Sequence, residues 1–525
     1  MNYSWIVVLP PLLVIVCAIM THSIPLSLSS GIIAACLVAT GGDIINSLKL
    51  MGSQLLASTS LPDFYYRTGS YDHAYVFGFL ICLGMIIALM QASGGISAYA
   101  RFIRSFIKTP RQAETMSLIF SPFFFLDDYL NNLVNGSIMR PIFDKFSLAR
   151  EKLAYILNAV SSSQCLLIPA SSWLAIILTE LHASGVGHTA SHKSLVNIDP
   201  FTLYASTIPY LLFPLLSIIS TWFIVRSRIS YGPMYTAEHS THKHREDAHE
   251  DNNTSAIAFF LPLATLLIAI PVSMLVCAGW HPGHQTLSPL QALQNADVLL
   301  AALWWASLSA FIVTIIFFSL KRFMPYKNML VACKEGALSM KGSITLLILA
   351  WTLSTLLRYH VHTGNYLAEV IISQAPMSII PFACFIASTM ITASIGSSWA
   401  MMGIMIPLVV PLVVSLYSST TGNLQDFPLL LPTLGALFSG AAAGPQLSPI
   451  ADAAIISSTV AGTTPIAHIR TLIPYSIPPL ASAAIGFLIL AQFQPTWYNS
   501  LGVIIGCIVL MILLHIAQSK IYKKR

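Results

Sequence analysis

The chain has 525 residues, of which 26 are Lys or Arg and 20 are Asp or Glu, for a formal net charge of +6. Charged residues make up only 9% and apolar ones 55%, whereas soluble domains carry roughly 25% charged residues. That balance excludes a soluble enzyme, a nucleic-acid binder and a disordered chain, and leaves a polytopic membrane protein.

A bilayer core takes about 20 apolar residues as helix. In chain order the apolar spans are 5–20, 25–47, 73–96, 153–180, 201–225, 255–279, 298–320, 342–358, 428–461, 472–491 and 498–519. The first lacks a basic segment before it and reads as a retained span rather than a cleaved signal peptide. Two more apolar stretches, 113–139 and 378–413, are interrupted by Gly, Pro, Asn and Ser. They read as re-entrant hairpins, because irregular backbone survives at membrane depth only where protein or a water-filled cavity satisfies it. The expected fold is therefore all-α, with about 11 transmembrane helices and two hairpins.

The first hairpin carries the strongest constellation. Asp127 and Asp128 follow three phenylalanines. A carboxylate at membrane depth costs about 2.5–3.5 kcal/mol, so it requires a partner, a proton or a cation. Adjacent carboxylates also repel, which suits proton exchange by one of them. Capping or an inter-helix contact is the structural alternative for either acid. Asn131, Asn132 and Asn135 offer amide oxygens near the tip, either to a cation or substrate or to the hairpin's own backbone. Asp144, Lys145, Arg150 and Glu151 read as a salt-bridged surface loop. The next span is expected to break at Ser161, Ser162, Ser163 and Gln164, ahead of Pro169, and to expose carbonyls and helix ends to an ion or an anionic group. Close helix packing is the other reading of that Ser run.

Between the halves, residues 226–254 form a polar linker with His239, His242, His244 and His249. Mixed charge without apolar support reads as a mobile segment, with metal binding or pH sensing as the alternative. In the second half, Gly396, Ser397 and Ser398 make a small polar tip. Gly444, Pro445 and Pro449 interrupt the following span, and Asp452 lies beyond them as a lone acid among small residues. Ser448, Ser457, Ser458 and Thr459 are candidate co-liners. His468 and Arg470 are expected at the inner mouth, Asp43 near an interface, and Trp304 and Trp305 in helix packing. The eight cysteines sit almost entirely in apolar runs with no C-x-x-C pair and read as buried hydrophobes. No P-loop and no H-E-x-x-H motif occurs, so nothing suggests ATP-driven work, a zinc enzyme or a cofactor.

With the N-terminus outside, every Lys and Arg falls on an inner segment except Lys49, Arg67, Lys193 and Arg358. That bias supports an N-out, C-in drawing with both hairpins non-crossing. The drawing repeats with opposite sense. Residues 1–225 form a first repeat whose hairpin opens inward. Residues 255–491 form a second whose hairpin opens outward, and 492–525 add a helix and a basic tail. Inverted repeats with interrupted helices mark a secondary transporter whose site lies near the midplane.

Several segments resemble the NhaC-type sodium/proton antiporter family: Phe125-Leu126-Asp127-Asp128-Tyr129 with Asn131, Met139-Arg140-Pro141, Asp144-Lys145, and Arg150 to Ile156. In the second half they are Gly396-Ser397-Ser398-Trp399, Gly403 to Pro407, Ser448-Pro449-Ile450 with Asp452, and His468 with Arg470-Thr471. The resemblance implies two hairpin-bearing repeats, a bacterial inner-membrane location, and exchange of protons against sodium or an organic solute. It is also compatible with an elevator-like carrier working as a homodimer. Two positions depart from that pattern. Asn158-Ala159-Val160 stand where the family usually has an acid, and Pro445-Gln446-Leu447 where it usually has Asp-His-Cys. Both losses suit a carrier that moves a proton with a neutral or zwitterionic solute.

The sequence is thus expected to encode an ion-coupled carrier and not an enzyme, with sodium/proton antiport as the first reading. Symport or exchange of an amino acid or small organic acid is the alternative. Asp127, Asp128 and Asp452 would bind the coupling ion by turns, with Asp128 and Asp452 as the sodium candidates. Asn131, Asn132, Ser161 to Gln164, Gly396 to Ser398, and Ser448 would line the site. The other expected partner is the lipid bilayer; nucleic acid is not one.

Overall fold

A computed structural model describes residues 5–21, 23–59, 72–95, 98, 107–125, 127–169, 171–187, 194–240, 255–280, 298–363, 366, 376–417, 422–449, 451–493 and 497–523. His242, His244 and His249 of the linker lie outside the described residues, as do Leu126 and Ile450 of the motifs. So do Arg67, Arg101, Arg104, Lys193, Lys243, Arg245, Lys524 and Arg525 of the orientation argument.

The described residues form helices joined by short turns, without β-strands. This is the expected outcome in lipid, where a helix satisfies its backbone within one segment. In chain order they are α1 (Leu9–Thr21), α2 (Ile24–Ala39), α3 (Ile44–Ala57), α4 (Asp72–Ala92), α5 (Pro110–Phe120), α6 (Asp128–Lys145), α7 (Arg150–Leu167), α8 (Ser172–Ala183), α9 (Pro200–Thr207), α10 (Leu212–Ser227) and α11 (Gly232–His239). Then follow α12 (Ile257–Cys277), α13 (Leu299–Lys321), α14 (Tyr326–Ser339), α15 (Lys341–Thr355), α16 (Ile380–Ile395), α17 (Ser398–Ser415), α18 (Leu430–Ala443), α19 (Asp452–Ala461), α20 (Pro465–Leu490) and α21 (Trp497–Lys523). Among the described residues eight helices are long and apolar enough to cross a membrane, or up to ten if two bent pairs each count as one span. The chain is an all-α, multi-pass membrane protein.

Two compact units arise, and each draws on both halves of the sequence. One comprises residues 55–107 and 248–348. Within it Leu89, Ala258, Phe318, Met324, Met329 and Ala332 form a shared core. A Cβ on Gly84 would lie 2.4 Å from the Gly336 carbonyl oxygen, so α4 and α14 meet backbone to backbone. Trp305 does not join the packing expected of it; it is 52% exposed on α13. An aromatic ring costs nothing against lipid, so an outward position is allowed there.

The other unit comprises residues 1–54, 108–247 and 349–525 and holds all the candidate site residues. Four of its segments that carry candidate site residues are helix–break–helix. The expected first hairpin is α5, a 3-10 turn at Ser121–Phe124, and α6. The second is α16 and α17, hinged at Gly396. Helices α7 and α8 bend by 51°. The span expected over 428–461 divides into α18, a 3-10 turn at Gly444–Gln446, and α19.

The break in the first half does not fall at Ser161–Gln164 as expected. Helix α7 runs unbroken through these residues to Leu167. Ser163 turns its hydroxyl onto the Ala159 carbonyl at 3.0 Å, which lets a serine sit inside a helix. Pro169 sets the true break, since it disfavours helical geometry at the residue before it. Ile168 is accordingly extended, with φ −102° and ψ 108°.

Part of the expected mobile linker is also ordered. Tyr231, just before α11, stacks on Tyr475 with ring centroids 4.4 Å apart. Glu238 in α11 pairs with Lys152 at 2.7 Å, and Lys152 also pairs with Glu114 at 2.9 Å. Asp43 caps α3 by accepting the Ile45 and Asn46 amides at 3.0 and 3.2 Å.

Candidate functional site

The paired acids of the first hairpin have different surroundings. Asp127 is extended, with φ −158° and ψ 139°, and stands at the N-cap of α6. Its Oδ1 accepts the Tyr129 and Leu130 amides at 2.9 and 3.1 Å. Its Oδ2 accepts the Ser172 hydroxyl at 2.8 Å. The capping alternative therefore describes Asp127, whose two oxygens hold the N-termini of α6 and α8 together. Asp128 is 5% exposed, and its Oδ1 accepts the Trp173 indole N–H at 3.1 Å. The N-terminus of α6 stands at this pair, and its partial positive charge favours carboxylates there.

The second half supplies the third acid. Helix α16 ends on Gly396 at φ +83°, a left-handed conformation that suits glycine. Ser397 then caps α17 by accepting the Ala400 amide at 3.4 Å. The Asp452 amide donates to the Gly396 carbonyl at 3.1 Å, tying the hairpin tip to the start of α19. The Tyr129 hydroxyl donates to Asp452 Oδ2 at 3.0 Å. Because Tyr129 follows Asp128 directly, this bond ties the acid-bearing start of α6 to the acid-bearing start of α19.

Around these acids the polar side chains divide into those with partners and those without. Asn131 Nδ2 donates to Ser121 Oγ at 2.8 Å and to Gln164 Oε1 at 3.0 Å, and Ser121 Oγ donates to Gln164 Oε1 at 2.9 Å. Asn135 Nδ2 donates to the Ser117 carbonyl at 2.8 Å. These groups satisfy the break in the first hairpin. Ser398 donates to the Ala441 carbonyl at 2.7 Å. Ser448 is 4% exposed beside the break that precedes α19. Asn132, Ser161 and Ser162 are buried, and their side chains have no hydrogen-bond partner among the described residues.

His468 is not at the mouth of the protein. It is fully buried, while Arg470, two residues on, is exposed. Its Nε2 lies 3.0 Å from Asn158 Nδ2, and Asn158 Nδ2 also reaches the Pro445 carbonyl at 3.4 Å. Gln446 Nε2 donates to Ser217 Oγ at 3.0 Å, and Ser476 donates to Gln446 Oε1 at 2.9 Å. Asn158 and Gln446, from the two stretches that depart from the family pattern, are thus each held by hydrogen bonds of their own, Asn158 with His468 and Gln446 with Ser217 and Ser476.

Sequence reasoning missed Tyr129, Ser172 and Trp173 as contacts of the site. A phenol directly after two acids was the one available signal. No group of three or more His, Cys, Asp or Glu able to hold a metal occurs among the described residues. The arrangement can hold a small cation or proton between carboxylates and offer neutral hydrogen bonds beside it. A cavity of about 950 Å³ lies elsewhere, under α11, and is lined by Glu151, Tyr231, Thr464, Arg470 and Tyr522 among others.

The sequence model of the Na+/H+ antiporter family matches residues 164–491. That range contains Gln164, the Gly396–Ser398 tip, Ser448 and Asp452, and begins after Asp127 and Asp128. An uncharacterised protein of Haemophilus influenzae is 30% identical over 491 residues, covering 92% of this chain and 90% of that protein. The malate-2H(+)/Na(+)-lactate antiporter of Bacillus subtilis is 29% identical over 112 residues, 21% of this chain and 22% of that protein. Among solved structures, the YdaH transporter of Alcanivorax borkumensis has a similar fold, with a TM-score of 0.55 at 13% identity over 85% of this chain and 88% of that one.

Proposed function

The chain belongs to the Na+/H+ antiporter family and is a secondary transporter, and on that premise we propose that it exchanges sodium for protons at Asp128 and Asp452. The observation that carries this reading is the Tyr129–Asp452 hydrogen bond of 3.0 Å beside the buried Asp128. A buried carboxylate requires a neutralising partner. A proton and a sodium ion compete for that role, so binding one releases the other, and competition at one site couples the two fluxes. Asp127 holds the helix ends in place, and Trp173 and Tyr129 orient the two acids.

In this reading residues 1–225 and 255–491 are inverted repeats, and the hairpins open to opposite sides. Occupancy by either ion neutralises the acids and permits the site to change sides, giving alternating access. The N-terminus lies outside and the C-terminus inside a bacterial inner membrane, with a homodimer as the working assembly. Gly396 to Ser398, Ser448, Asn131 and Gln164 shape the site rather than bind the ion.

A second reading, exchange of a small organic acid coupled to sodium or protons, is favoured by the neutral Asn158–His468 pair at 3.0 Å. The name of the Bacillus subtilis relative, a malate and lactate antiporter, points the same way. Purified protein in liposomes with an interior pH dye tests both. Sodium or lithium alone should move protons in the first reading, and potassium should not. A response only to an organic acid would replace it with the second.

A further inference from the structure

The cavity of about 950 Å³ under α11 carries opposite charges at its two ends, with α11 running between them. One end holds the N-terminus of α11. There a Cβ on Gly232 would lie 3.5 Å from Tyr522 Cζ and 3.8 Å from Pro474 Cγ, and the Tyr231 hydroxyl donates to the Pro474 carbonyl at 3.2 Å. Arg470 lines the cavity one helical turn before Pro474, and so belongs to this end. At the other end, Glu238 in the last turn of α11 pairs with Lys152 at 2.7 Å. Glu151, beside Lys152 in the chain, lines the cavity there. Its Oε1 accepts the Thr463 hydroxyl at 2.8 Å, just before the start of α20. Helix α11 thus runs from the Arg470 end to the Glu151 end, and its dipole has the same sense, positive beside Arg470 and negative beside Glu151. Among the described residues neither Arg470 nor Glu151 forms an ion pair.

The same order follows depth in the membrane. Helix α20 is long enough to cross a bilayer, so its start lies near one surface. Glu151, held at Thr463, stands at that surface. Arg470 lies roughly 9 Å deeper along the helix than the Thr464 cap. Beyond it Ile477 and Leu488 continue the face of Arg470 to within about 20°, and they are 44% and 36% exposed. Tyr235 and Tyr522 line the cavity and are partly exposed, as aromatic rings are at a membrane surface. From the surface inward the protein offers a carboxylate, then a guanidinium with a helix N-terminus, then bare aliphatic side chains. A guanidinium and a helix N-terminus both suit a phosphate, and a carboxylate suits an ammonium group. A phospholipid with a primary amine presents the complements in the same order: ammonium, phosphate, acyl chain. A soluble zwitterion would leave the apolar face unmatched, and an anionic lipid without an amine would leave Glu151 beside its phosphate with no cation.

We propose that the cavity under α11 binds a phospholipid bearing a primary amine, with its phosphate at Arg470 and its ammonium at Glu151. Bound there, the lipid bridges α7, α11 and α20. The site is separate from Asp128 and Asp452 and does not depend on which ion the protein moves. The test uses the purified full-length protein, stripped of lipid in detergent. Phosphatidylethanolamine, phosphatidylglycerol of the same acyl chains and soluble phosphoethanolamine are the probes, and bound molecules are counted by native mass spectrometry. Phosphatidylethanolamine should bind about tenfold more tightly than phosphatidylglycerol, the worth of one charge-assisted contact. Glu151→Gln keeps an acceptor for Thr463 and should bring that ratio close to one. Arg470→Gln should weaken both lipids by about tenfold. Its exposed position keeps the test open if Glu151→Gln lowers the thermal midpoint of the lipid-free protein.

Equal binding of the two lipids by the wild type would overturn the proposal, as would a preference that survives Glu151→Gln or an affinity that survives Arg470→Gln. Phosphoethanolamine bound as tightly as the lipid would overturn it in favour of a soluble zwitterion. Binding of none of the three would overturn it and leave the cavity to solvent.

Discussion

Tyr129 donates its hydroxyl to Asp452 across 3.0 Å, joining residues 323 positions apart in the chain. One phenol thus links the first turn of α6 to the first turn of α19, joining an acid-bearing helix start from each half of the sequence. A hydrogen bond to a carboxylate contributes about 1.5–3 kcal/mol. Tyr129→Phe deletes it with little change of shape. Asp452 then lacks its donor and holds a cation more firmly. The sodium concentration for half-maximal proton flux in liposomes should fall by about tenfold or more, and the maximal rate should fall with it. An unchanged sodium response would remove Asp452 from the ion site.

The unequal surroundings of Asp127 and Asp128 give a second test. Asparagine caps helices about as well as aspartate, so Asp127→Asn should fold and retain most transport. Asp127→Ala should lose about 1 kcal/mol of stability, seen as a lower thermal midpoint in detergent. Asp128→Asn should keep the fold and lose the sodium-driven proton flux. If the two asparagine variants behaved alike in flux, the division into cap and ion ligand would fail.

Lys152 carries a prediction about stability alone. It pairs with Glu114 and Glu238 at 2.9 and 2.7 Å, with all three side chains largely buried. Removing one member of a buried ionic set leaves uncompensated charge and costs about 3–5 kcal/mol. Lys152→Met should therefore lower the thermal midpoint sharply, because two acids lose their partner. Glu238→Gln should lower it less, since Glu114 still pairs with Lys152. Equal effects would mean that the pairing with Glu238 of α11 carries the whole contribution and that with Glu114 of α5 none.

Much of this was legible from local signals. Low charge, long apolar runs and Gly or Pro interruptions are properties of short windows, and they marked the membrane fold and the broken segments. The Asp144–Arg150 pair was also readable, being six residues apart; it closes with two contacts of 2.9 Å. What failed required knowledge of distant partners. Asp127 looked equal to Asp128 because Ser172, which occupies its second oxygen, lies 45 residues on. The Ser161–Gln164 run looked like a break because serine competes for backbone bonds, yet Ser163 bonds back within its own helix. His468 looked like a surface residue beside Arg470, but two positions on a helix turn the side chain by about 200° and put the two on opposite faces.

Gly396 gives the last prediction, because its conformation and its contact act on the same point. Its φ of +83° lets the chain turn sharply between α16 and α17, and its carbonyl accepts the Asp452 amide at 3.1 Å. A side chain in the left-handed region costs about 1–2 kcal/mol. Gly396→Ala must bear that strain or relax the turn, and relaxing it moves the carbonyl away from Asp452. Strain without movement would lower the thermal midpoint and leave the sodium response intact. Movement would preserve the midpoint better and weaken the sodium response, because the start of α19 loses its anchor. The hairpin tip is fixed by packing against α18, where Ser398 donates to the Ala441 carbonyl at 2.7 Å. Strain is therefore the expected result: a lower midpoint with sodium-driven flux within about twofold of wild type when measured well below that midpoint. A loss of flux at an unchanged midpoint would instead make Gly396 the joint on which the ion site moves.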